Sequence, residues 1–247
     1  MYHHFIITSS SYVQGIRIAL HYVYNNQIDK DEIKKTIEQI QNESYQNSSY
    51  STHMIMTSSK TWKSVVSYDP FFEDVKVVKT TEEFVRYMKS DLVLNGLDVA
   101  RYILSKKKCR HLALEKLTYL CYADYLCKYG KRLFEDKVYA YRYGPVVESV
   151  YENYKHSKSV LGAGIKDYIL QSRILVLEDG MERLNSINNT IAKYSNCSAW
   201  DLVSITHAQG GPWSVKDYRK ENQIIDDELI VEKHHVEEDY FQSMNIQ

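Results

Sequence analysis

HLALEKLTYLCYADYLCKYGKRLFEDKVYAYRYGPVVESVYENYK, residues 111–155, is the stretch whose reading decides the fold. From Leu112 to Tyr129 it is apolar on most of its circumference. Leu114, Leu117, Leu120, Cys121 and Tyr125 fall at helical spacing, and Tyr122, Ala123 and Leu126 widen the stripe. A helix that is apolar nearly all round is buried, so this one is expected to be the hub of a helical domain. Gly130 is the expected C-cap, with Lys128 and Lys131 near the negative end of the helix dipole. Val138 to Tyr143 alternates apolar and polar as an extended piece. Pro145 then suits the first turn of a new helix carrying Val146, Val150 and Tyr154 on one face.

Working outward, Leu97, Ala100, Ile103 and Leu104 predict a helix before the hub, with Asp98 in its first turn. After the hub, Leu161 to Gly164 reads as a glycine-containing link. Met181, Leu184, Ile187, Ile191 and Tyr194 form a helical stripe starting at Asp179-Gly180. Ser198 caps a further helix, with Asp201 as a capping-box partner, and that helix runs to Gly210-Gly211-Pro212-Trp213. A last helix is expected from about Asp226 to Phe241.

The first 90 residues read differently. His4 to Ser10 (HFIITSS) and His53 to Ser59 (HMIMTSS) are near-copies, 49 residues apart, and each looks like a short buried strand running into hydroxyl residues. Val13, Ile16, Leu20 and Val23 fit a helical stripe that breaks at Asn25-Asn26. Asp29 caps a helix that buries Ile33, Ile37 and Ile40, with Glu32 as its capping-box partner. Gln41 to Thr52 is a polar loop. Ser64 to Tyr68 and Val75 to Val78 are candidate strands, and Thr80 or Thr81 caps a helix carrying Phe84, Val85 and Met88. Alternating strands and helices predict a small α/β domain over 1–90, followed by a helical domain over 91–247. In an open parallel sheet, Ser9, Ser10, Ser58 and Ser59 would lie at the strands' carboxyl ends, where hydroxyls beside helix N-termini suit phosphate or nucleotide. Ordinary capping chemistry accounts for the same residues, and neither glycine-rich phosphate-binding pattern occurs.

Composition bounds the function. The chain has 247 residues, with 31 basic and 32 acidic side chains and a net charge of −1, so no general attraction to nucleic acid is expected. No apolar run reaches the roughly 18 residues of a membrane span, and no secretory leader pattern opens the sequence, so the expected location is cytoplasmic. Cys109, Cys121, Cys127 and Cys197 form no CxxC pair and read as reduced structural thiols. No nucleophile–base set or carboxylate pair with a partner base stands out, so no enzymatic activity and no cofactor are expected. His207 is the best single candidate for chemistry, though a histidine at a helix end also satisfies backbone groups. Trp213 reads as a plug on the core or an interface anchor. His234-His235 followed by Glu237-Glu238 lacks HExxH spacing, so no metal site is expected there.

Five elements then recur in order: Asp98-Val99-Ala100; Leu114 to Ala123; Gly130-Lys131-Arg132-Leu133-Phe134; Tyr141 to Val147; and Leu202 to His207 with Gly211-Pro212-Trp213. Together they resemble the Panacea domain, a bacterial and phage antitoxin domain, over roughly residues 92–240. Glu115 stands where that family usually carries a small or polar residue, and Ser157 to Arg173 matches none of its motifs. The resemblance implies an α+β chain, mainly helical in its C-terminal part, that neutralises a cognate toxin from an adjacent gene by direct binding. A chaperone or a protease that receives the toxin is the further partner it implies. Arg142, Tyr143, Gly144 and Pro145, with His207 and Trp213, are the expected partner contacts. The alternative is a nucleotide-binding or catalytic N-terminal domain with the helical domain as its dock. No helix-turn-helix or basic recognition helix supports a third, DNA-binding role.

Overall fold

The computed structural model describes residues 1–25, 27–44, 49–162, 167–217, 219–220 and 223–244. Gly164, within the expected link, lies outside them, as does Asn26. The chain divides into two compact units: Met1–Leu92 with Val176–Glu178, and Val93–Leu175 with Asp179–Gln247.

The first unit is built on a four-stranded sheet of order β3-β1-β2-β4, from β1 (Tyr2–Ser11), β2 (Ile16–Tyr24), β3 (Ser51–Thr57) and β4 (Val75–Val77). The helical stripe expected from Val13 to Val23 is instead β2. Ile16, Ile18, Leu20, Tyr22 and Tyr24 also alternate at period two, and Gly15, at φ 64°, closes the turn that folds them back on β1. Alternation sorts the sheet's two faces. Phe5, Ile7, Ile18 and Leu20 pack with Ile40 of α1 (Lys30–Glu43) and with Phe84, Val85 and Met88 of α3 (Thr81–Ser90). Ile6, Ala19 and Ile55 face Val65 and Phe72. Val65 belongs to α2 (Trp62–Tyr68), a helix where Ser64 to Tyr68 reads as a strand. A stretch as short as Ser64 to Tyr68 does not distinguish the two by itself, and burial of only Val65 fits a helix.

The second unit is helical: α4 (Gly96–Lys106), α5 (His111–Tyr129), α6 (Glu148–Tyr154), α7 (Asp167–Leu175), α8 (Gly180–Lys193), α9 (Ala199–Thr206) and α10 (Asp227–Ser243). The fold is therefore α+β. α5 is the hub: α4, α6, α8, α9 and α10 all pack on it, and its buried residues include Leu114, Leu117, Tyr119, Leu120, Cys121, Tyr122 and Tyr125. Each fully buried leucine contributes about 1.5–3 kcal/mol of transfer free energy. Gly130 ends the helix at φ 65°, the left-handed geometry a glycine C-cap supplies. Asn95 and Asp98 form a reciprocal capping box on α4, as Ser198 and Asp201 do on α9.

The helix expected to start at Pro145 begins three residues later. β5 (Val138–Tyr141) and β6 (Gly144–Val147) form an antiparallel hairpin first. The reason is accounting for backbone hydrogen bonds: β6 pairs with β5, and Asp136 then accepts from Ser149 N (3.1 Å) and from Gly96 N (2.7 Å). The segment around Ile224 lies along β5's other side, where Ala140 N donates to Gln223 O and Ile225 N donates to Val138 O.

Candidate functional site

The hairpin turn and the end of α9 meet over α5. Arg142 and Tyr143 form the exposed tip, with the guanidinium 5.5 Å from the Tyr143 ring centre. Gly144 and Pro145 point the other way and are buried. Lys116 of α5, wholly buried, donates from Nζ to the Pro145 carbonyl at 2.6 Å. The His207 ring stacks on Trp213 at 3.6 Å between centres and 12° between planes, and Trp213 Nε1 donates to Tyr141 O at 2.8 Å. Gly144 adopts φ 102° where these groups converge. A Cβ there would lie 3.0 Å from Lys116 Nζ and 3.1 Å from His207 Nε2. A side chain would therefore be strained by both backbone and neighbours.

The electrostatics of this junction follow from burial. Burial lowers the His207 pKa to about 4, and the Lys116 charge adds to that, against a backbone hydrogen bond with Tyr143. The ring is thus neutral, and its Nε2 has no hydrogen-bond partner among the described residues. Beside it, Glu115 and Lys116 are both sequestered: burial pushes the Glu115 carboxyl up and the Lys116 ammonium down, each opposed by the other's charge. So the six expected contact residues split. Arg142 and Tyr143 face solvent, whereas Gly144, Pro145, His207 and Trp213 hold the hairpin to the hub.

A second polar cluster lies further along α5; it includes His234 and Glu238, where the sequence spacing predicts no metal site, and the Asp124 that joins them has no signal in the sequence. His234 of α10 sits between two carboxylates, with Nδ1 bonded to Glu237 Oε2 at 2.7 Å and Nε2 to Asp124 Oδ1 at 2.8 Å. Burial alone would lower its pKa, but the two hydrogen-bonded carboxylates raise it to about 9. Tyr119 donates to Glu237, Thr190 donates to Asp124 Oδ2 at 2.7 Å, and Lys193 pairs with Glu238 at 2.7 Å. Asp124, His234 and Glu238 bring ligand atoms within 4.8 Å of one another, on the wall of a cavity of about 390 Å³. Neither α5 nor α10 carries the pattern alone. Asp124 lies 110 residues from His234, and only the packing of the two helices unites them.

The serines are not brought together. β1 and β3 run antiparallel, with Tyr2 opposite Thr57 and Thr8 opposite Ser51, so Ser9 and Ser10 lie at one end of the sheet and Ser58 and Ser59 at the other. The carboxyl-edge arrangement expected of a parallel sheet is therefore absent from this pair of strands. Ser9 Oγ donates to Ser49 O. Ser59 O accepts from Thr57 and Ser64, which closes a local turn beside His4.

Residues 114–214 match the family described as Antitoxin SocA-like, Panacea domain; four of the five elements lie within that span, and Asp98-Val99-Ala100 lies before it. That span contains the whole hairpin junction and ends before α10. Antitoxin SocA of Caulobacter vibrioides (strain NA1000 / CB15N) is 29% identical over 109 residues, which cover 42% of this chain and 58% of that protein. No solved structure matches. Among the described residues, no helix is long and apolar enough to cross a membrane.

Proposed function

We propose that this protein is an antitoxin whose helical unit binds and neutralises a toxin encoded by a neighbouring gene. The observation that carries this reading is the family match over 114–214, which spans the hairpin that α5 braces. An exposed aromatic beside an arginine on a rigid turn suits an interface anchor, because little conformational entropy is lost when it docks. Neutralisation by direct contact needs no catalytic group. Its residues need only present a fixed surface, and the buried side of the hairpin supplies the fixing.

Co-expression with the neighbouring gene's product tests the proposal. The expected outcome is restored growth and a complex that survives gel filtration. Persistent growth arrest with the two proteins eluting separately would overturn it.

A further inference from the structure

The polar seam between α5 and α10 lies outside the proposed toxin-binding surface and has a chemistry of its own. We propose that Asp124, His234 and Glu238 form a binding site for one divalent transition-metal ion of the zinc type. Four observations support it. His234 and Glu238 stand four residues apart on α10, hence on one face, and Asp124 meets them from α5 with all three ligand atoms within 4.8 Å. This is how helical bundles build metal sites, from side chains on facing helices. The ligands are also oriented from behind. Glu237 holds His234 Nδ1, which aims Nε2 at the site, and Thr190 occupies Asp124 Oδ2, which leaves Oδ1 facing it. Finally, the site opens on a cavity of about 390 Å³, which provides an entry path and room for solvent to complete the coordination shell.

The imidazole selects the metal class. One nitrogen and two carboxylates favour zinc, cobalt or nickel over magnesium or calcium, which take oxygen ligands. Lys193 marks the position where positive charge is wanted: its ammonium lies 2.7 Å from Glu238 and 3.5 Å from Asp124. Binding replaces that ammonium and the His234–Asp124 hydrogen bond, and the Nε2 proton leaves to solvent. Asp124 lies within the family span and His234 and Glu238 beyond it, and the site does not rest on the toxin-binding reading, since none of its ligands belongs to the hairpin tip.

Cobalt(II) titration of the full chain is the test, read by visible absorption and by equilibrium dialysis. One ion per chain is expected, displaced by one equivalent of zinc. Glu238→Gln, at a side chain 43% exposed, should fold normally by circular dichroism and weaken cobalt affinity by about tenfold or more. Lys193→Gln should strengthen it several-fold by removing the competing ammonium. Absence of stoichiometric cobalt in the unaltered chain overturns the proposal. So does an affinity that Glu238→Gln leaves unchanged.

Discussion

Two histidines of the helical unit, both packed near α5, are held in opposite states. At the hairpin junction, burial holds His207 neutral, with Lys116 beside it. In the α5–α10 seam, His234 sits between Asp124 and Glu237 and is charged. The same helix supplies an amine to one and a carboxylate to the other. The difference shows how a nearly all-apolar helix uses its few polar residues. Lys116 fixes a hairpin by donating to the Pro145 carbonyl, and Asp124 fixes a helix by accepting from His234. In both places a buried charge is stabilised by named partners, so removing a partner costs more than the bond itself.

The largest expected effect comes from Lys116. Lys116→Ala leaves the Pro145 carbonyl unpaired, removes the amine beside buried Glu115 and opens a cavity under Gly144. A loss of about 3–5 kcal/mol is expected, measured by urea denaturation followed through helical circular dichroism. Lys116→Met keeps the volume and should lose less. Equal losses in the two variants would show that the lost bond and charge, rather than the filled space, hold the hairpin down. Glu237→Gln asks the same of the seam. It keeps the shape but removes one of the two charges that stabilise the imidazolium, and about 2 kcal/mol of destabilisation is expected. Gly144→Ala should cost about 1–3 kcal/mol, because φ 102° and the crowding of Lys116 and His207 both oppose a Cβ.

How far each region was legible in the sequence follows from these contacts. The hub helix, its glycine stop and the Ser198–Asp201 capping box are local signals and are present as read. On α1, Asp29 caps as expected, but Glu32 accepts from the Tyr24 hydroxyl instead of completing a box, and Asp98, read only as a first-turn carboxylate, forms a box with Asn95. The junction was legible as an ordered motif, because Tyr143-Gly144-Pro145 and Gly211-Pro212-Trp213 are compact turns. What could not be read was which way each residue points: a hairpin turn exposes Arg142 and buries Gly144 two positions later. The seam left only half a trace, the His234-His235 and Glu237-Glu238 run, whose spacing matches no metal motif. His234 and Glu238 are an ordinary i,i+4 pair on a helix, and Asp124 is one polar residue on an apolar helix. In the first unit, Ile16 to Tyr24 satisfies both a helical and a strand period, and only the Gly15 turn onto β1 decides between them. The expected placement of the serine pairs at one sheet edge failed on strand direction, which a short apolar run does not encode.

The pH dependence of stability separates the two histidines in sign. His207 has a folded pKa of about 4, below its unfolded value near 6.5, so the unfolded chain binds the extra proton first. Its contribution is fully present above pH 6.5 and is lost as pH falls toward 4. Because the ring is only half-buried, solvent screening limits the effect to about 1 kcal/mol. His207→Gln should flatten that part of the stability profile between pH 6.5 and 4. His21 of β2, also lowered to about 4 by burial and the neighbouring His4, should leave a slope of the same sign in the first unit. A stability profile that His207→Gln does not alter over this range would mean that the ring is as accessible to protons folded as unfolded.

The smallest effect on stability belongs to the tip, and it most directly tests the division drawn at the hairpin. Arg142 and Tyr143 are exposed and joined by a cation–π contact, so Arg142→Ala and Tyr143→Ala should each shift folding stability by no more than about 0.5 kcal/mol. If the tip carries the toxin, Tyr143→Ala weakens the complex by tenfold or more while the melting curve is unchanged, because an aromatic anchor contributes through the partner and not through its own fold. Gly144→Ala behaves in the reverse way: the fold weakens first, and binding falls in proportion to the folded fraction. A Tyr143→Ala variant that binds and neutralises like the unaltered chain would place the toxin contact elsewhere on the unit. The hairpin would then be a brace for α5 on both its sides, with its exposed pair a solvated turn.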